Sequence, residues 1–229
     1  MKREMLNLIA SARARKQACA MVTDMDSGRQ AFIGGAVRQG ELALGEQQMD
    51  EVRRRIDSDH SGLMEFGGFF VRVYSPPVRL VIVGAVHIAQ ALAPMAQLAG
   101  FDVTVIDPRE AFARSGNLAG ITALIEWPDD GLKQVAPDAR TAVVTLTHDP
   151  KLDDPALESA LRSPAFYIGA LGSKKTHASR LQRLDALGFS AADTARIHGP
   201  VGLKINAATP AEIAVSIMAQ IIEKLRETP

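Results

Sequence analysis

Leu80-Val81-Ile82-Val83-Gly84-Ala85-Val86-His87-Ile88-Ala89 reads as a buried strand, a tight turn and the first turn of a helix. Four consecutive apolar residues without polar alternation fit a strand covered on both faces, the signature of a parallel sheet. Gly84 falls where the chain must turn out of the strand. The backbone amides that follow are placed to receive a phosphate at the helix start. Asp107 closes the next apolar run, 23 positions after Gly84, where a nicotinamide enzyme grips a ribose hydroxyl. Val86, however, stands where the second glycine of G-x-G would let a pyrophosphate approach the backbone, and its branched side chain obstructs that approach. The stretch is either a working dinucleotide turn or the same architecture with its pyrophosphate site closed.

Outward from this unit the pattern recurs. Val103 to Ile106, Ala142 to Leu146 and Phe166 to Ile168 are short apolar runs separated by helical stretches. They predict an α/β fold, a Rossmann-like parallel sheet with helices on both faces. Near the end, Thr209 as cap, Pro210 at the first helical position and Glu212 three residues after the cap predict a helix whose buried stripe is Ile213, Ile217, Ile221 and Leu225. Toward the other end, Ser75-Pro76-Pro77 removes two backbone donors and favours an extended connection, which marks a boundary between a small α+β module at 1–75 and the Rossmann-like domain at 78–229. In the module, Met5, Leu6 and Ile9 form a helical stripe. Cys19 to Thr23 and Ala31 to Ile33 read as strands around the turn Asp26-Ser27-Gly28. Glu46 to Ile56 is a charged helix, and Leu63 to Phe66 with Phe69 to Tyr74 form a hairpin around Gly67-Gly68.

Composition narrows the function classes. At 229 residues, 47% hydrophobic and 23% charged, the chain can bury a core and is unlike a disordered protein. Its 26 basic and 26 acidic side chains cancel, so no global field draws it to nucleic acid or to an anionic membrane. The single cysteine, Cys19, excludes an intramolecular disulfide and a thiolate metal site, and points to a reducing compartment. The apolar runs fall short of the roughly 20 residues of a membrane helix, and Met1-Lys2-Arg3-Glu4 leads into no signal-peptide core, so a cytoplasmic protein is expected.

Ligands of a doubly wound sheet sit beyond the carboxyl ends of its strands. Gly84, Ala85 and His87, then Asp107 and Arg109, then His148 and Asp149, and finally Gly169 through Thr176 all fall at that edge. Gly172-Ser173-Lys174-Lys175-Thr176 follows a strand and opens a helix, so free amides, the helix dipole and two ammonium groups can meet a phosphate. The spacing is not that of a Walker loop, and a capping serine followed by two solvated lysines is the alternative. Arg109 is either a bidentate phosphate clamp or the ion-pair partner of Asp107 or Glu110. Asp149 is a turn residue before Pro150 that could also orient His148. Gly199-Pro200-Val201-Gly202 is a rigid turn, and Arg53-Arg54-Arg55 a solvated helix face. No spacing of a structural metal site is present.

Six ordered stretches carry a resemblance to a known family. They are Val83-Gly84-Ala85 with His87, the run from Val105 through Glu110, Leu146-Thr147-His148-Asp149-Pro150-Lys151-Leu152-Asp153, the run from Tyr167 through Thr176, Gly199-Pro200-Val201-Gly202-Leu203, and Thr209-Pro210-Ala211-Glu212-Ile213-Ala214. Between Val78 and Arg226 the chain resembles the Rossmann domain of the XdhC/CoxI family, accessory proteins of xanthine dehydrogenase and carbon monoxide dehydrogenase type molybdenum hydroxylases. The resemblance implies binding of the molybdenum cofactor, as molybdopterin or its cytidine dinucleotide form, and help with its sulfuration or insertion. It also implies a hydroxylase apoenzyme, and a cysteine desulfurase, as partners, and a homodimer. His87 and His148 would donate to a phosphate, a pterin oxygen or a molybdenum oxo group. Two departures stand out. The family reads Gly-Ala-Gly-His where this chain has Gly84-Ala85-Val86-His87, and its amino-terminal Ser-Gly-Gly-Cys-Val-Glu-like segment is matched here by Ile33-Gly34-Gly35-Ala36-Val37, with alanine at the cysteine position. An NAD(P)-dependent oxidoreductase, which Val86 argues against, and a non-catalytic dimeric interaction module are the competing readings.

Overall fold

The computed structural model describes residues 3–109 and 121–227; Glu110, the alternative ion-pair partner expected for Arg109, lies outside them. The chain divides into two compact units, one reaching to Pro76 and one running from Pro77 to Glu227.

The first unit contains α1 (Arg3–Ala14), β1 (Cys19–Asp24), β2 (Gln30–Gly34), β3 (Val37–Gly40), α2 (Glu46–Asp57), β4 (Gly62–Leu63) and β5 (Phe69–Tyr74). Its strands form an antiparallel sheet in the order β3-β2-β1-β5-β4. Alternation along β1 sorts the two faces. Ala20 and Val22 join Val71, Val73 and Val52 of α2 in one core, while Cys19 and Met21 join Phe32 under Met5, Ile9 and Ala12 of α1. The last hairpin is shorter than its apolar run predicts, because residues 64–68 form the connection. β3 gives little sequence signal because it is a largely exposed edge strand, Val37-Arg38-Gln39-Gly40.

The second unit contains β6 (Arg79–Val83), α3 (His87–Leu98), β7 (Asp102–Ile106), β8 (Thr122–Leu124), α4 (Pro128–Val135), β9 (Thr141–Thr145), α5 (Pro150–Leu161), β10 (Tyr167–Ala170), α6 (Lys174–Ala186), α7 (Ala191–Thr194), β11 (Ile197–His198) and α8 (Pro210–Arg226). The six strands are parallel in the order β11-β10-β9-β6-β7-β8. Strand order therefore reverses between β6 and β9, the switch point where a crevice opens at the carboxyl edge. Helices cover both faces. Leu80 and Ile82 face α3 and α8 with Leu92, Ile217 and Ile221, while Val81 and Val83 face α5 and α6 with Leu157 and Leu184. α8 starts as the sequence predicts: the Thr209 hydroxyl accepts from the Glu212 amide at 3.2 Å, and the Glu212 carboxylate accepts from the Thr209 amide at 3.0 Å. Of its predicted stripe Ile217 and Ile221 are buried and Ile213 and Leu225 are half-buried against the same core, where Ala214 and Met218 join them.

Candidate functional site

Four loops leave the carboxyl edge of the central strands, after β6, β7, β9 and β10. Each has a distinct structural solution. Gly84 sits at φ +102°, and a Cβ there would lie 2.5 Å from the Thr147 methyl, so only glycine lets the first turn seat against the loop after β9. Val86 caps α3 with no side-chain hydrogen bond, and His87 follows it, exposed.

Asp107 is buried at the end of β7, and its carboxylate is fully engaged. Oδ2 accepts from the Ala85 amide at 2.8 Å and from Arg109 Nη2 at 2.8 Å, and Oδ1 accepts from the Arg109 amide and Nε, both at 2.9 Å. Burial by itself would raise its pKa, but the Arg109 guanidinium and the two amides outweigh that and hold it below the ordinary aspartate range. Of the alternatives for Arg109, the structure shows the ion pair with Asp107. Asp149, in the loop after β9, adds a weaker electrostatic pull on the same guanidinium.

In the loop after β9, Asp149 is the cap of α5, its carboxylate accepting from the Lys151 amide at 3.0 Å. His148 stands exposed with φ +60°. Gly169 lies inside β10 rather than beyond it, and a Cβ there would meet Val201 at 2.6 Å and the Tyr167 ring at 2.8 Å. Beyond β10, Ser173 caps α6 by accepting from the Thr176 amide at 3.1 Å, with the two hydroxyls 2.9 Å apart. Lys174 and Lys175 are exposed. The amides of residues 172–175 have no acceptor among the described residues, and at a helix start they form a positively polarised nest.

Sequence reasoning missed a polar layer under these loops. Thr147 donates its hydroxyl to Asp153 at 2.7 Å. Asp153 lies 3.6 Å from Arg180, and Arg180 donates to the Leu171 carbonyl at 2.8 Å. Both charged side chains are almost fully buried. Burial pushes Asp153 up and Arg180 down in pKa, and the long ion pair does not reverse either shift. Arg180 Nε and Nη1, Thr145 Oγ1 and His177 Nδ1 are buried without partners among the described residues. One signal was legible: Arg180 precedes the buried Leu184 by four residues, so it falls on the inward face of α6. Among the described residues no group of His, Cys, Asp and Glu side chains is placed to hold a metal ion, and no helix is long and apolar enough to cross a membrane.

A sequence model of the XdhC Rossmann domain matches residues 80–221. The chain is 34% identical over 148 residues to the molybdenum cofactor insertion chaperone PaoD of Escherichia coli, covering 65% of this chain and 40% of that protein. It is 34% identical over 179 residues to a probable xanthine dehydrogenase subunit of Bacillus subtilis, covering 76% and 52%. It is 32% identical over 198 residues to YqeB of Escherichia coli, covering 86% and 34%. The chain thus spans between a third and about half of these relatives. A crystal structure described as a xanthine dehydrogenase from Bacillus halodurans superposes with a TM-score of 0.76 at 27% identity, over 99% of this chain and 65% of that one.

Proposed function

The chain belongs to the XdhC family, and on that premise we propose that it binds the molybdenum cofactor and assists its insertion into a xanthine dehydrogenase type molybdenum hydroxylase. The observation that carries this reading is the set of unclaimed amides at residues 172–175, opening α6 beside Lys174 and Lys175 at the carboxyl edge of the sheet. Such a nest suits the phosphate of a pterin cofactor in either the molybdopterin or the cytidine dinucleotide form. His148 and His87, exposed at the ends of neighbouring loops, are donors for the pterin or oxo oxygens. When bound, the group supplies the redox centre of the recipient enzyme; this chain holds it, orients it and hands it over.

The chain's own chemistry argues against sulfur transfer on a protein thiol. Cys19 is fully buried beneath α1 and burial raises its pKa, whereas a reactive cysteine needs an accessible thiolate. On the resemblance of the amino-terminal segment, Ala36 stands in place of the family's cysteine. Sulfuration would then fall to a cysteine desulfurase partner. Nicotinamide binding is disfavoured for a reason beyond Val86. Four N–H donors already fill the Asp107 carboxylate, leaving it nothing to offer a ribose hydroxyl.

The test is anaerobic incubation with molybdenum cofactor, gel filtration, and fluorescence of the oxidised pterin that stays with the protein. Stoichiometric retention, lost in a Lys174→Ala, Lys175→Ala variant, is the expected result. A folded protein that retains no pterin but still captures a hydroxylase apoenzyme would replace this reading with the interaction module, and sedimentation would establish whether a homodimer does so.

A further inference from the structure

The Leu171–Gly172 peptide is the hinge of the proposed phosphate seat, and its orientation is set from below. Leu171 donates its amide to the Thr145 carbonyl at 2.9 Å, which continues the ladder of β10, and turns its carbonyl to Arg180 Nη2 at 2.8 Å. In a trans peptide the carbonyl and the next N–H point in opposite directions. A carbonyl held inward by Arg180 therefore turns the Gly172 amide away from the guanidinium. Nothing local enforces that orientation. Gly172 is at φ +141°, and a glycine after the peptide plane lets the plane rotate at little steric cost. The guanidinium that holds it is 2% exposed, and the same Nη2 lies 3.6 Å from Asp153, which in turn accepts from the Thr147 hydroxyl of the neighbouring loop. Among the described residues Nε and Nη1 have no partner, and the one short hydrogen bond of Arg180 is to this carbonyl.

We propose that Arg180 is the positioning residue of the site: from the buried layer it locks the Leu171–Gly172 peptide so that the amides of residues 172–175 converge as a seat for an oxyanion, in the first instance a phosphate group. It does so without touching the ligand, and Asp153 ties the same lock to the loop that carries His148. The proposal rests on the phosphate-binding reading of the α6 start, but not on the identity of the molecule that carries the phosphate.

The test is titration of the ¹⁵N-labelled protein with inorganic phosphate, following the amide resonances of residues 172–175 together with those of Ile168 and Leu184 as reporters of the fold. In the unsubstituted protein the loop amides shift and the core amides do not. In Arg180→Met the core resonances stay in place while phosphate affinity at the loop falls about tenfold or more, the size of one or two lost amide contacts. Arg180→Lys, which keeps a donor within reach of the Leu171 carbonyl, recovers part of the loss. Should Arg180→Met fail to fold, Arg180→Met with Asp153→Asn removes both buried charges together and carries the same expectation. A folded Arg180→Met that binds phosphate like the unsubstituted protein overturns the proposal. So does an unsubstituted protein whose residues 172–175 do not respond, because the seat itself is then absent. Phosphate binding without pterin retention defeats the cofactor reading and leaves the positioning role standing.

Discussion

Two carboxylate–guanidinium pairs lie at the carboxyl edge of the sheet in the second unit, one at the end of β7 and one beneath the loops after β9 and β10. Asp107 receives four N–H donors from Ala85 and Arg109, and its arginine remains 45% exposed. Asp153 and Arg180 are 3% and 2% exposed, 3.6 Å apart, and two guanidinium nitrogens have no partner among the described residues. In the first pair the charged forms win: Asp107 is held below its ordinary range and its hydrogen bond raises Arg109. In the second, burial wins over both partners. The difference teaches that directed N–H contacts, more than the mere nearness of an opposite charge, decide whether a buried ion is satisfied. The first pair is a closed structural clasp; the second retains hydrogen-bonding capacity directly under the candidate site.

The comparison predicts unequal costs. Asp153→Ala leaves Arg180 buried without a carboxylate beside it and should lower unfolding stability by about 3–5 kcal/mol, read from urea denaturation at neutral pH. Adding Arg180→Met to that variant should restore much of the loss, since no stranded charge remains. Asp107→Ala should cost less, about 2–3 kcal/mol, because Arg109 can turn to solvent. The reverse order of costs would break the distinction between clasp and open pair.

Acid sharpens the same contrast, since the two aspartates are shifted in opposite directions. The stabilisation from Asp107, whose folded pKa is depressed, is present above the unfolded value of about 3.9 and is lost as pH falls through the folded one. Asp153 is shifted up, so its contribution is full below about 3.9 and is lost as pH rises through the folded value. Measured against the unsubstituted protein at each pH, the cost of Asp107→Asn should shrink on acidification below about pH 4, while that of Asp153→Asn grows as pH falls toward about 4. Parallel slopes would show that one of the two environments is misassigned.

How much of this was legible in the sequence follows from what each residue reports. The β6 turn, the parallel sheet and the capped α8 could be read because Leu80-Val81-Ile82-Val83, Gly84 and Thr209-Pro210-Ala211-Glu212 are local signals with local causes. β8 and β11 left little trace, being a three-residue and a two-residue edge strand completed by parallel partners distant in sequence. At the site, Ser173 as a helix cap and Arg109 as a partner of Asp107 were visible as alternatives, because capping and short-range pairing depend on spacing, whereas Asp149, read as a turn residue, caps α5 in the structure. The Thr147–Asp153–Arg180–Leu171 chain was not, since its longest link, Asp153 to Arg180, spans 27 positions and depends on a sheet register that only folding establishes. Asp107 shows the opposite limit. Its position in the chain matched a ribose-binding acid, and only the geometry revealed that its acceptors were already taken.

The smallest effect expected is the response to restoring the missing glycine. Val86 caps α3 without a side-chain hydrogen bond, so Val86→Gly forfeits no cap and should change stability by less than about 1 kcal/mol. It also clears the approach that the branched side chain obstructs. If Val86 alone closed a dinucleotide site, the variant would bind NADH. With Asp107 engaged by Ala85 and Arg109, it should not, and NADH fluorescence should remain unchanged in the presence of either protein. Tight binding by the variant would mean that a ribose can displace Arg109 from the clasp. Asp107 would then be as open to a ligand as the Arg180 layer, and the contrast between the two pairs would reduce to one blocking side chain.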